Sequence, residues 1–206
     1  MRVLIACEES QTVCEAFRKL GHQAWSCDII DCSGSFPQWH IKGDVLRFMG
    51  KNEFNNFKGW DLMIAHPPCT YLSKAGNKWF NFPGRKEKRE EAFDFFFKLL
   101  NCDIPKICVE NPVGYINSKL KPSQIIQPYF FGDNEQKTTC LWLKNLPLLD
   151  YNKTLLQKPK PKYICKSGKR VYWADSFGSN LKDRQKIKSK TFPGIARAMA
   201  EQWGKE

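Results

Sequence analysis

The chain has 206 residues and a formal net charge of +12 from 33 basic and 21 acidic side chains, a length that suits one domain with a short insertion rather than two independent units. Its nine cysteines, Cys7, Cys14, Cys27, Cys32, Cys69, Cys102, Cys108, Cys140 and Cys165, are scattered and often lie in apolar runs, which argues for reduced thiols; with no CxxC pair and no matching histidine spacing, a structural zinc site is not expected. The apolar stretch before Glu8 and Glu9 is too short for a signal peptide or a membrane span, so a cytoplasmic protein with no membrane partner is expected.

In chain order, Arg2 to Cys7 is a short β-rich apolar run. Ser10 to Leu20 has helical spacing, with Val13, Cys14, Phe17 and Leu20 on one side, and Gly21 is placed to end that helix. Gln23 to Cys27, ending at Asp28, and Leu62 to Ala65, running into His66, Pro67 and Pro68, read as buried parallel strands. Glu87 to Leu100 is a strong helical pattern, charged first and then carrying Phe93, Phe96, Phe97 and Leu100, and the strand Lys106 to Val109 follows it. Thr138 to Leu143 is a further strand, Leu146 to Pro161 reads as irregular chain, and Pro193 to Trp203 as a closing helix. Strands alternating with helices predict a parallel α/β sheet.

In open sheets of this class the binding crevice lies beyond the carboxyl ends of the strands. Four unusual clusters fall at such ends: Glu8-Glu9-Ser10, Asp28, His66-Pro67-Pro68-Cys69 and Glu110-Asn111-Pro112. The charge is also localised. Residues 151–190 hold 12 basic and 2 acidic side chains, whereas residues 1–150 hold 19 and 17. Interleaved with Tyr151, Tyr163, Tyr172 and Trp173, that block suits a polyanion whose phosphates need cations and whose bases can stack on rings. A solvated loop is the other reading of the charge alone.

Cys69 follows two prolines that stiffen its turn, so its thiol is either a fixed, exposed nucleophile or one more small buried residue. Glu110 ends the apolar run Ile107-Cys108-Val109. Desolvation there is expected to favour its protonated form, although a turn cap with Asn111 and Pro112 is the alternative. Taken together, a thiol and a protonated carboxyl fit one difficult reaction. The 5-position of cytosine becomes nucleophilic only when a thiolate adds to the neighbouring carbon and an acid protonates the ring nitrogen. The target base must then be flipped out or single-stranded.

Asp61-Leu62-Met63-Ile64-Ala65-His66-Pro67-Pro68-Cys69-Thr70-Tyr71-Leu72-Ser73 resembles the catalytic-cysteine motif of the DNA cytosine 5-methyltransferase family, and Val109-Glu110-Asn111-Pro112 resembles its Glu-Asn motif. Gly21 to Asp28, Gly43-Asp44-Val45 and Phe192 to Ala198 are similar, in the same order, to the family's cofactor-ribose, adenine and closing motifs. The resemblance implies a Rossmann-like S-adenosylmethionine-dependent methyltransferase fold, a mostly parallel central sheet flanked by helices. It implies a catalytic core over 1–149, a basic, reduced DNA-recognition segment over 150–190 and a closing helix over 191–206. Cys69 and Glu110 would be catalytic. S-adenosylmethionine would lie against Cys7, Glu8, Asp28, Ile29, Asp44, Val45 and Pro67, with Asp28 on the ribose hydroxyls and Asp44 near the adenine amine. Pro68, Ser73, Asn111, Gln136, Lys137, Lys169 and Arg170 would face the DNA substrate.

Three features depart from the family pattern. The first loop, Cys7-Glu8-Glu9-Ser10-Gln11, is not glycine-rich; it adds negative charge and removes conformational freedom where the methionine moiety should lie. Lys137 stands nearest to an expected arginine pair and cannot reproduce a guanidinium fork. The recognition region is short, which allows a homodimer. An amino-group methyltransferase would need Asp or Asn before the prolines and an aromatic after them, and a zinc deaminase a second cysteine; neither is present. The rival to catalysis is a methyltransferase-fold protein that binds DNA or a protein partner and transfers nothing.

Overall fold

Strands covered on both faces have no polar side to alternate with, so they read as unbroken apolar runs. Arg2–Ala6 (β1) after its first residue and Leu62–Ala65 (β4) are of this kind and are buried almost throughout, whereas Gln23–Asp28 (β2) is interrupted by the buried Ser26. The structure is a computed structural model that describes residues 1–50, 59–74, 76, 81–152, 156–168, 170–172 and 191–205. With His40–Lys42 (β3), Lys106–Pro112 (β5), Gln124–Ile126 (β6) and Thr139–Lys144 (β7), the strands form one seven-stranded sheet in the order β3-β2-β1-β4-β5-β7-β6. The five strands from β3 to β5 are parallel, and β7 runs antiparallel to both of its neighbours. The expected α/β architecture is therefore observed, with a reversed strand inserted near one edge.

Period-two alternation sorts the strand side chains onto two faces. Val3, Ile5, Leu62, Ile64, Cys108 and Leu141 pack with helices Thr12–Lys19 (α1) and, at the chain's end, Pro193–Trp203. Leu4, Ala6, Met63, Ala65, Ile107, Val109 and Trp142 pack on the other face with Arg85–Leu100 (α2), chiefly through Phe96 and Leu99. The short helix Tyr115–Lys119 (α3) follows β5, which makes Pro193–Trp203 α4. Trp203 is buried and donates its indole N–H to the Pro147 carbonyl at 3.0 Å, locking α4 against the irregular chain that leaves β7.

Two boundaries differ from expectation for local reasons. Leu20 lies beyond the last residue of α1 and is 50% exposed. The chain reverses at Gly21, whose φ of 84° lies in the region that favours glycine and whose N–H reaches the Arg18 carbonyl at 2.9 Å. β5 continues three residues past Val109, because β7 pairs Leu141, Cys140 and Thr139 with Glu110, Asn111 and Pro112. Among the described residues of 150–190, Tyr163–Ile164 (β8) and Arg170–Val171 (β9) form a separate two-stranded hairpin.

Trp203→Ala should lower stability by about 3–5 kcal/mol, the usual range for truncating a buried tryptophan. Urea unfolding followed by far-UV circular dichroism measures this. A loss below about 1 kcal/mol would mean that α4 does not close the core.

Candidate active site

At the carboxyl end of β1 the chain turns without glycine: Cys7 and Gln11 adopt left-handed φ values of 58° and 61°. That conformation costs an L-residue roughly 1–2 kcal/mol, and two contacts offset it. The buried Glu8 carboxylate accepts the Val13 N–H at 2.7 Å and the Cys14 N–H at 3.2 Å, capping α1. Gln11 grips the Phe36 backbone at both its carbonyl, 2.7 Å, and its N–H, 3.0 Å. The negative charge that Glu8 adds to the loop is therefore committed to the helix. Burial pushes its carboxyl above the ordinary value, and the His66 charge and the two backbone N–H groups only partly pull it back.

The end of β2 gathers polar groups of a different kind. Asp28 is half-buried, with Oδ1 accepting the Ile30 N–H at 3.2 Å, and burial raises its carboxyl pKa despite that bond. Beside it Ile29 is 72% exposed, an apolar surface beyond the carboxyl end of β2. Asp44 is exposed and caps a 3-10 turn at Val45–Arg47 by accepting the Leu46 N–H at 3.0 Å; Val45 belongs to the core. Burial, followed by the charges of Asp28, Cys27 and Asp44, pushes the Cys7 thiol well up, so it is neutral and shares a neighbourhood with both acids. Carboxylates that accept from hydroxyl and amine groups, next to an exposed aliphatic face, are a donor set that fits a nucleoside.

β4 and β5 pair Ala65 with Val109, so the next rung brings together His66 and Glu110. His66 Nδ1 lies 3.2 Å from Glu110 Oε2, with the two side chains 7% and 12% exposed. The expectation of a proton-holding Glu110 is overturned here. Burial does push its carboxyl up, but the hydrogen bond from His66, the Lys137 ammonium and the His66 charge outweigh it and leave it below the ordinary value. Asn111 is buried and donates from Nδ2 to the Pro67 carbonyl at 2.9 Å, tying the proline turn to β5. His66 Nε2, Asn111 Oδ1 and Gln136 Oε1 are buried without a hydrogen-bond partner among the described residues. Buried polar atoms are normally paired, so each of these, like Gln127 Oε1, calls for a polar partner.

Cys69 is exposed. Its carbonyl accepts the N–H groups of Leu72, 3.1 Å, and Ser73, 2.9 Å, which closes the turn beneath it. Ser73 bridges to Gly114, and Tyr115 N–H donates to the Leu72 carbonyl at 2.7 Å. A Cβ on Gly114 would overlap that carbonyl oxygen and sit 2.8 Å from Ser73 Cα, so the approach requires glycine. From the other side, Arg89 Nε donates to the Tyr71 carbonyl at 3.1 Å and the Arg85 guanidinium lies 4.6 Å from the centre of the Tyr71 ring. His66, Arg85, Arg89 and Gly114 have roles that reading the sequence did not assign. Arg85 and Arg89 stand four apart on one helix face, which was a usable signal; the His66 and Gly114 contacts are long-range and left none.

Of the other expected site residues, Pro67 is buried and Pro68 exposed at the turn before Cys69, and Lys137 contributes charge at Glu110. Arg170 is exposed on β9, away from the central sheet in sequence and pairing. Lys169 lies outside the described residues, as does Trp173 of the basic block. Lys162 pairs with Glu135 at 2.8 Å, which connects the hairpin to the segment before β7. Compared with known proteins, the chain matches no family model and no curated protein. No helix among the described residues is long and apolar enough to cross a membrane.

Limited alkylation with iodoacetamide near pH 8, read by peptide mass spectrometry, should modify Cys69 first. Burial raises the thiols of Cys7, Cys14, Cys27, Cys102, Cys108 and Cys140. First modification at any of those six would contradict the site geometry. Gly114→Ala should destabilise the fold by about 1–3 kcal/mol, the scale of overpacking, and change the Cys69 alkylation rate, since the Cys69 turn must move to admit the methyl group.

Proposed function

We propose that this protein is a DNA cytosine 5-methyltransferase that uses S-adenosylmethionine, with Cys69 as nucleophile and Glu110 as the group acting on the ring nitrogen. The observation that carries the reading is the exposed Cys69 on the braced turn leaving β4, three residues beyond a His66–Glu110 pair shared with the adjacent strand. Its Rossmann-like methyltransferase character is supported by the sequence motifs together with the mostly parallel sheet, whose strand ends hold them. The donor set of Asp28, Asp44 and exposed Ile29 fits the cofactor's nucleoside. When bound, the cofactor supplies an electrophilic methyl group.

The chain's own residues prepare the base. Cys69 adds as its thiolate, its proton released to solvent, to C6 of an extrahelical cytosine while a proton passes to N3 by way of Glu110, leaving C5 electron-rich. Asn111 positions the proline turn through the Pro67 carbonyl. The orphaned atoms of His66, Asn111 and Gln136 suit the polar edge of a base. DNA as the partner is supported twice: by the basic 151–190 block, and by Arg85, Lys86, Lys88 and Arg89 in the first two turns of α2, beside the Cys69 turn. Cations at a helix N-terminus oppose its dipole, so that placement suits phosphates.

Purified protein incubated with mixed-sequence DNA and methyl-labelled S-adenosylmethionine should place label on C5 of cytosine. Cys69→Ser should abolish transfer, and Glu110→Gln should slow it roughly 10²–10⁴-fold, the usual weight of a general acid. Absence of label from the wild-type protein, with no cofactor binding by calorimetry, would overturn the reading.

A further inference from the structure

The methyltransfer reading needs a proton at N3, yet the Glu110 carboxyl is held below its ordinary range and carries none at neutral pH. A proton source must therefore stand within reach of it. His66 is the side chain bonded to that carboxyl, 3.2 Å from Nδ1 to Oε2, and both groups are nearly closed to solvent. We propose that His66 and Glu110 hold one proton between them, and that His66 is the positioning residue from which Glu110 draws the proton it delivers to cytosine N3. This inference rests on the cytosine methyltransfer reading and adds the histidine to it.

Charged and titratable groups face the pair from every element packed on it. Glu8, from the loop after β1, acts on His66, and the Lys137 ammonium, from the segment before β7, acts on Glu110. Burial and then the Glu110 charge push the Cys108 thiol up, and burial pushes Cys140 up, with the Asn117 hydrogen bond opposing and the Glu110 charge adding to it, so both are neutral. An imidazole ordinarily titrates near pH 6.5, a free glutamic acid near 4.3. Nδ1, 3.2 Å from Oε2, is the atom from which a proton reaches Glu110 directly.

The proton balance closes over one cycle. As the bond from the Cys69 thiolate to C6 forms, the C5–C6 π pair shifts into C4–C5 and the C4–N3 π pair onto N3; the pair's one proton leaves His66 Nδ1 for Glu110 and passes on from Glu110 to form N3–H, leaving a neutral imidazole and a carboxylate. After methyl transfer the C5–H proton leaves to solvent, its electron pair serves to re-form the C5–C6 double bond as Sγ departs, and the N3 proton returns by the same path, so that the pair ends as it began. The proton belongs to the pair, and its titration is that of the pair.

The test joins a pH–rate profile to a titration that needs no activity. Wild-type transfer should persist through neutral pH and fall once the pair loses its proton. In His66→Gln the alkaline limb should move acidward by roughly 2 pH units, toward that of an isolated carboxylic acid. His66→Asn retains an N–H donor but no titratable proton, so it should show the same displaced limb. Nitrogen-15 NMR of the three histidines, assigned with the His66 variants, should show the His66 midpoint falling by about 1 unit or more in Glu110→Gln. Thermal melts establish that the variants fold.

A rate lowered equally at all pH values, restoration by His66→Asn, or a His66 midpoint indifferent to Glu110→Gln would each overturn the proposal. Absence of transfer by the wild type at every pH, with the coupled titration intact, would instead overturn the methyltransfer reading and the catalytic use of the pair along with it.

Discussion

The register between β4 and β5 is the constraint on which the site depends. Ala65 lies opposite Val109, so His66 and Glu110 meet on the following rung and on the same face of the sheet. A slip of one residue would exchange the two faces of the strand and send Glu110 to the side of α2. The slip is opposed along the whole strand, because Ile107 and Val109 are buried against α2 while Cys108 is buried on the α1 face. β7 reinforces the same register from the other edge and carries the pairing through Pro112. Hydrophobic sorting of side chains along both strands thus positions the His66–Glu110 pair.

The environment of that pair is built from groups of opposite sign in a buried setting. Glu8 is buried and capped onto α1, so its carboxylate completes a helix terminus and acts on His66 through space. Lys137 acts on Glu110 from the far side. Interactions of this kind are strong where water is excluded. Cys69, by contrast, stands on an exposed turn whose geometry comes from Gly114 on one side and the α2 arginines on the other. Cys69 and the His66–Glu110 pair therefore have opposite solvation, which under the proposed reaction suits a thiol that must meet a large substrate and a proton that must not escape to solvent.

Much of this was legible from local pattern. The closing helix Pro193–Trp203 was placed to the residue, because proline at its start and an apolar run punctuate it clearly. The ends of β1, β2 and β4, where the polar clusters gather, were also visible in apolar runs. The three-residue strands β3 and β6 were not, since too few side chains alternate to give a period. The first loop was read as stiffened by its lack of glycine, whereas Cys7 and Gln11 take left-handed conformations, with the Gln11 side chain bonded to the Phe36 backbone. The protonation of Glu110 was misjudged for a related reason: burial is visible in sequence, but a partner 44 residues away is not.

The central claim is covalent attack by Cys69 on cytosine, and a trapping experiment tests it most directly. DNA in which the C5 hydrogen of cytosine is replaced by fluorine leaves no proton to lose after methyl transfer, so the thioether adduct cannot break down. Incubated with this DNA and S-adenosylmethionine, the protein should form a denaturation-resistant complex whose mass maps a modified cytosine to the peptide containing Cys69. Ordinary DNA methylated at C5 with no trapped complex from the fluorinated duplex, or an adduct on any other cysteine, would contradict it.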